Sequence, residues 1–251
     1  NGWTDIILGS TTQTGAINVG ARSWNDRLTL RTLSGVISIN GAQTMGGNNL
    51  TINTNSDMAI NAALTGTGTL TFIPTTASTS IGIGTGQTGT FNLNDSDLDN
   101  ITNGWTTIAV GGTSYTGAIN MGARTWNDNL AIYASSGIVT VNGAQTMGAN
   151  NLTYRLGSNI VLNADLIGTG TLTFYGSSNG VTMGIGNAQA GTLNLTDAEL
   201  ARLIDGWGTI VLGNTSMTGA MNIAALRASS EREKANQEPQ SLFQFKTTTM
   251  K

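Results

Sequence analysis

The sequence has no cysteine and no histidine. That excludes a disulfide framework, a thiolate zinc site and imidazole catalysis. Proline occurs only twice, and charged residues make up 10% of the chain, well under the roughly 25% of an ordinary globular domain. No lysine precedes Lys234 and the net charge is −3, so there is no basic patch for a nucleic acid or an anionic membrane surface. Apolar runs are only a few residues long, too short for a membrane-spanning helix, so no membrane insertion is expected. The chain does not begin with Met, shows no signal peptide and opens on a repeat boundary. It therefore reads as a processed product or as a piece of something longer. No cofactor is expected.

What is present is a repeat. "NGWTDIILGSTTQTGAINVGARSWND" opens the chain, "NGWTTIAVGGTSYTGAINMGARTWND" begins at Asn103, and "DGWGTIVLGNTSMTGAMNIA" begins at Asp205. Trp3, Trp105 and Trp207 are spaced 102 residues apart, as are Gly15, Gly117 and Gly219. "NGAQTMGGNNLT" from Asn40 returns from Asn142, and "GTGTLTF" from Gly66 returns from Gly168. A fixed period without insertions signals stacked units that lean on one another. The division is repeat 1 over 1–102, repeat 2 over 103–204, a partial third copy over 205–225 and a divergent charged tail over 226–251.

Gly, Thr and Asn are abundant, and Ile, Val, Leu, Phe and Met alternate with them in short runs. Alternation separated by Gly and Asn turns predicts about nine strands per repeat. "LTDAELARLIDGW", Leu195 to Trp207, differs: Leu200, Leu203 and Ile204 have helical spacing. Thr196 and Glu199 form a capping box, and Gly206 follows as a stop. A weaker helix is expected at "SDLDNITNGW". Propeller blades of about 40 residues fit the period poorly. An immunoglobulin-like sandwich is a competitor, but its strands are longer. Short strands with small inward residues favour an all-β fold, a parallel β-helix (β-solenoid) with short helical seams. Coils of about 20 residues would give five per repeat, rising roughly 24 Å at about 4.8 Å per strand, and a rod of roughly 50–60 Å.

The phrase "LTDAELARLIDGWGTIVLGNTSMTGAMNI", and in weaker form Leu93 to Ile119, resembles the repeats of filamentous-haemagglutinin-like bacterial surface adhesins. The resemblance covers the chain to about residue 223. It implies a right-handed parallel β-helix, secretion to the extracellular space or cell surface, and a structural or adhesive role.

Few groups invite chemistry. Arg22, Trp24 and Asp26 recur as Arg124, Trp126 and Asp128. Such a trio is a candidate carbohydrate site, with Trp stacking on a sugar of a glycan or host surface. The alternative is Trp packed at a corner, with Arg paired to Asp across the turn. Asp95, Asp97 and Asp99 mimic the start of a calcium loop, but Asn100 and Thr106 stand where Gly and Glu are required, so helix-start charge is the better reading. "GIGTGQTG" lacks the lysine of a phosphate loop and reads as turn glycines. Asn49 and Asn151 lie in glycosylation-like triplets expected by chance in so Asn- and Thr-rich a chain. No pair of carboxylates breaks the repeat as a glycosidase cleft would, so no enzyme is expected. The expected role is a structural fibre or adhesin component, with head-to-tail self-association into a filament. The tail segment "SLFQFKTT" is read as an added strand that could bind a neighbour.

Overall fold

The computed structural model describes residues 2–224. The tail over 226–251, with its expected assembly strand, lies outside the described residues, as does residue 225.

The chain winds into a parallel β-solenoid. Its long sheet has nine strands: Asp5–Gly9, Arg27–Arg31, Leu50–Asn53, Thr69–Ile73, Thr107–Gly111, Leu130–Ala134, Leu152–Leu156, Thr171–Gly176 and Thr209–Leu212. All neighbours are parallel. Paired residues are 22 apart at Leu28↔Leu50, 20 at Leu50↔Leu70, 38 at Leu70↔Ile108 and 22 again at Ile108↔Leu130. The 102-residue period is thus four turns, three short and one long, and not the five equal coils expected. At about 4.8 Å per strand, a repeat rises about 19 Å and the nine strands span about 38 Å.

The long turn explains the difference. After Thr69–Ile73 the chain forms Ile81–Ile83, loops back and lays Phe91–Leu93 beside it in parallel, Ile81 opposite Phe91. The extra strand packs toward Met58–Ile60 of the turn below. The helix Asp95–Asp99 follows, and Ile101 then bridges to Leu64. The second copy repeats this with Met183–Ile185, Leu193–Leu195, Asp197–Leu200 and a Leu203–Leu166 bridge. The helices are shorter than the spacing suggested. Leu200 ends the second one, and Leu203 serves as a bridge residue instead. Among the described residues, no helix is long and apolar enough to cross a membrane.

Each repeat holds twelve strands rather than nine. The additional three in the first copy, Arg22–Ser23, Gln43–Thr44 and Leu64–Thr65, form a narrow third face. A two-residue strand shows no alternation, so nothing in the sequence marks it.

Alternation places one residue in two inside. Leu28, Leu50, Leu70, Ile108, Leu130, Leu152 and Leu172 stack in one buried column. Ile52, Phe72, Val110, Ile132, Tyr154 and Phe174 stack in the next, with the rings of Tyr154 and Phe174 5.1 Å apart and nearly parallel. Each fully buried side chain of this size contributes about 1.5–3 kcal/mol, so the columns supply most of the driving force. The aromatics are few, but most of them lie in this interior.

Candidate functional site: the repeat seam and the tryptophan corner

Where the long turn ends, the strand Met58–Ile60 has no backbone partner of the usual kind above it. The helix supplies side chains in its place. Asp97 Oδ1 accepts the Ile60 N–H at 2.7 Å, while Oδ2 accepts the Asn94 N–H at 3.3 Å and closes the capping box. Asn100 Nδ2 donates to the Ile60 carbonyl at 2.6 Å. Burial raises the Asp97 carboxyl above the usual range, partly offset by the N–H groups of Ile60 and Asn94 and reinforced by nearby Asp57. In the second copy Glu199 does the same work: Oε1 accepts the Leu162 N–H at 3.4 Å, and Oε2 the Thr196 N–H at 2.9 Å.

Trp105 then crosses the seam. Its Nε1 donates to the Leu64 carbonyl at 3.3 Å, and its ring fills the space above Gly66. Trp207 repeats this with Leu166, at 3.2 Å, and Gly168. Asp128 is buried and accepts the Gly104 N–H at 2.8 Å, which fixes the turn that aims Trp105. Burial raises its carboxyl too, against the N–H groups of Gly104 and Trp105. Arg124 reaches down to the previous repeat, 2.9 Å from Asp99 and 3.5 Å from Asp95. The Asp95 carboxyl lies below the usual range, mainly through its hydrogen bond to the Thr85 side chain and in part through Arg124.

The candidate sugar-binding residues fall into this scheme. Trp24 and Trp126 are buried, and their Nε1 groups donate to Gln43 Oε1 at 2.8 Å and Gln145 Oε1 at 2.9 Å. Each glutamine is fully buried and fully paired: Gln43 Nε2 donates to the Gly20 and Gly41 carbonyls at 2.7 and 2.6 Å. Gln145 makes the same pair to Gly122 and Gly143 at 2.6 and 2.7 Å. The indoles therefore act as corner posts, which favours the packing reading over stacking on a sugar. The pairing differs from the one expected with that reading. Arg124 meets Asp95 and Asp99 rather than Asp128, and the Arg22 guanidinium lies 4.9 Å over the Trp24 ring while Asp26 is buried.

The three aspartates of the calcium-like stretch are likewise divided. Asp97 turns inward to backbone N–H groups, and Asp95 and Asp99 face Arg124. In "GIGTGQTG", Gly84 and Gly86 adopt positive φ, and Gly82 has Asn92 Oδ1 2.5 Å from where a Cβ would sit. The roles of Gln43, Gln145 and Gly66 were not read from the sequence. Their one visible signal was recurrence: "NGAQTMG" and "GTG" return unchanged.

No family model, no curated protein and no solved structure matches the chain. The likeness to haemagglutinin-like repeats therefore rests on the quoted sequence phrases.

Proposed function

We propose that the chain is a structural component of an extracellular bacterial fibre or adhesin, a solenoid rod that associates head to tail. One observation carries the reading. The groups that return at the seam and the corner, Trp105 and Trp207, Gln43 and Gln145, and the carboxylates of Asp97 and Glu199, all bond within the coil. Repetition here maintains the scaffold and offers no repeated ligand group. The reading makes the chain non-enzymatic, and the sequence resemblance supplies the surface location. Negative-stain images of the purified protein, together with antibody labelling of intact producing cells, test it. Elongated particles and surface label are expected. Compact spheres, or turnover on a panel of polysaccharides, would contradict it.

A further inference from the structure

The two copies differ in character on one outward column of the long sheet. The inward neighbours of that column stay apolar and buried in both: Leu30 and Ile132, Ile52 and Tyr154, Phe72 and Phe174. Outward, Arg31, Asn53 and Ile73 of the first copy give way to Tyr133, Arg155 and Tyr175 in the second. The core pattern is untouched, yet a strip of the rod wall changes its chemistry.

Tyr133, Arg155 and Tyr175 stand opposite one another on three adjacent strands, and all three are half-buried. At about 4.8 Å per strand the two tyrosines are rooted about 9.6 Å apart, with the arginine between them. The Arg155 guanidinium lies 6.0 Å from the centre of the Tyr175 ring. Burial raises the Tyr133 phenol, Tyr175 adds to the rise and Arg155 opposes it. Arg155 Nη2 donates to the Ser177 carbonyl at 2.8 Å, which fixes the side chain. Its Nε is buried without a partner, and among the described residues no carboxylate pairs with it. Neither phenol hydroxyl makes a hydrogen bond among the described residues. The same holds for the hydroxyls of Thr153 and Thr173, which lie in register on the same outward face, two residues before Arg155 and Tyr175.

Two aromatic faces, a guanidinium without a counter-ion and free hydroxyls on one strip suit a sugar chain. The C–H face of a pyranose packs on a ring, its hydroxyls meet the threonines, and a guanidinium takes a carboxylate in bidentate fashion. Tyrosines on every second strand match alternate sugars of an extended chain laid along the rod. An added peptide strand does not suit this place, because it needs a free sheet edge, and the strands that carry the column are paired on both sides.

We infer that Tyr133, Arg155 and Tyr175, with Thr153 and Thr173, form a binding site for an extended acidic polysaccharide built from uronate-bearing sugars. The rings carry alternate sugars, and Arg155 holds the carboxylate of the sugar between them. The first copy, with no ring in this column, has no such site. The site rests on the fibre-or-adhesin reading and gives it a ligand class.

Isothermal titration of the full chain with oligosaccharides of mannuronate, of galacturonate and of hyaluronan tests the site. Binding of at least one, at one site per chain, is expected. Tyr133→Arg/Arg155→Asn/Tyr175→Ile writes the first copy's own residues into places where the same fold already carries them. The thermal midpoint should therefore hold while affinity falls at least about tenfold. Arg155→Gln should remove the preference for the acidic oligosaccharide over the neutral one of the same linkage. No binding of any of these oligosaccharides, or binding that the triple variant retains, would overturn the site. Equal binding of polyglutamate would overturn the assignment to a glycan. Elongated particles that bind no glycan reject the site and leave the rod; compact spheres reject the rod itself.

Discussion

The Trp105 ring lies 2.6 Å from the point where a Cβ on Gly66 would stand, and its Nε1 bonds the Leu64 carbonyl one residue short of that turn. Tryptophan and glycine, 39 residues apart in sequence, are two halves of one contact. Trp105→Ala leaves a cavity at the seam and is expected to cost about 3–5 kcal/mol. Trp3→Ala removes the same residue from an exposed place and should shift stability by less than about 0.5 kcal/mol. Urea unfolding of the two variants measures the contrast.

Gln145 accepts the Trp126 Nε1–H through its Oε1 and donates through Nε2 to the Gly122 and Gly143 carbonyls. Gln145→Leu keeps the bulk and strands these buried groups, at about 1–3 kcal/mol each for those left unsatisfied. Trp126→Phe in the same background removes one orphan, so the double variant should be less destabilised than the sum of the singles. A double-mutant cycle in denaturant reads this coupling directly.

Gly86 and Ala188 occupy the same place in the two copies, with φ of 80° and 61°. Ala188 is the one non-glycine residue with positive φ among the described residues. Ala188→Gly should stabilise the chain by about 1 kcal/mol and Gly86→Ala should destabilise it by a similar amount, because αL backbone strains any residue with a Cβ. Opposite shifts of the thermal midpoint are the expected observation.

Asp97 has a raised carboxyl in the fold, so the folded state holds its proton at a pH where the unfolded chain has lost it. By linkage, the stability it contributes is full at low pH and falls as pH rises from the ordinary carboxylate value through the raised one. Asp97→Asn has no such titration. The stability of the natural chain relative to this variant should therefore decline as pH rises above the ordinary carboxylate range, as followed by thermal midpoints in a pH series.

Gly143→Val should cost far more than Thr153→Val. The sequence suggests positive φ at such turn glycines, but Gly143 has no positive φ. Its constraint is a close approach: a Cβ would stand 2.0 Å from the Ala123 backbone nitrogen of the turn below. A cost of about 3 kcal/mol is expected, set by overpacking against backbone. Thr153 lies in a long-sheet strand and is half-buried, so valine there should change stability by less than about 1 kcal/mol. Chemical denaturation of both variants gives the comparison.

The fold was legible because its two signals are local and repeated. Alternation in "LTLRT" or "GTLTFI" is the strand itself, and the constant period is the stacking. The capping box of the second copy was legible too, as Thr196 and Glu199 are three residues apart, whereas the one made by Asn94 and Asp97 was not read from the sequence. What escaped was set by contacts between turns. The return of Phe91–Leu93 beside Ile81–Ile83 depends on a parallel pairing across the seven-residue loop 84–90, which no alternation announces. The role of Asp97 depends on Ile60, 37 residues earlier. Whether Trp24 faced solvent or packed at a corner stayed open because its partner, Gln43, sits 19 residues away and one turn up.

Amide hydrogen exchange across the seam tests the account most directly. The two repeats form one continuous coil, joined by Asp97, Asn100 and Trp105. The amides of Ile60, Leu64, Thr106 and Ile108 should then exchange as slowly as those of Leu50 and Leu130, in one cooperative unit. Fast exchange confined to residues 95–106 and their partners, dividing the chain into two separately protected blocks, would contradict it.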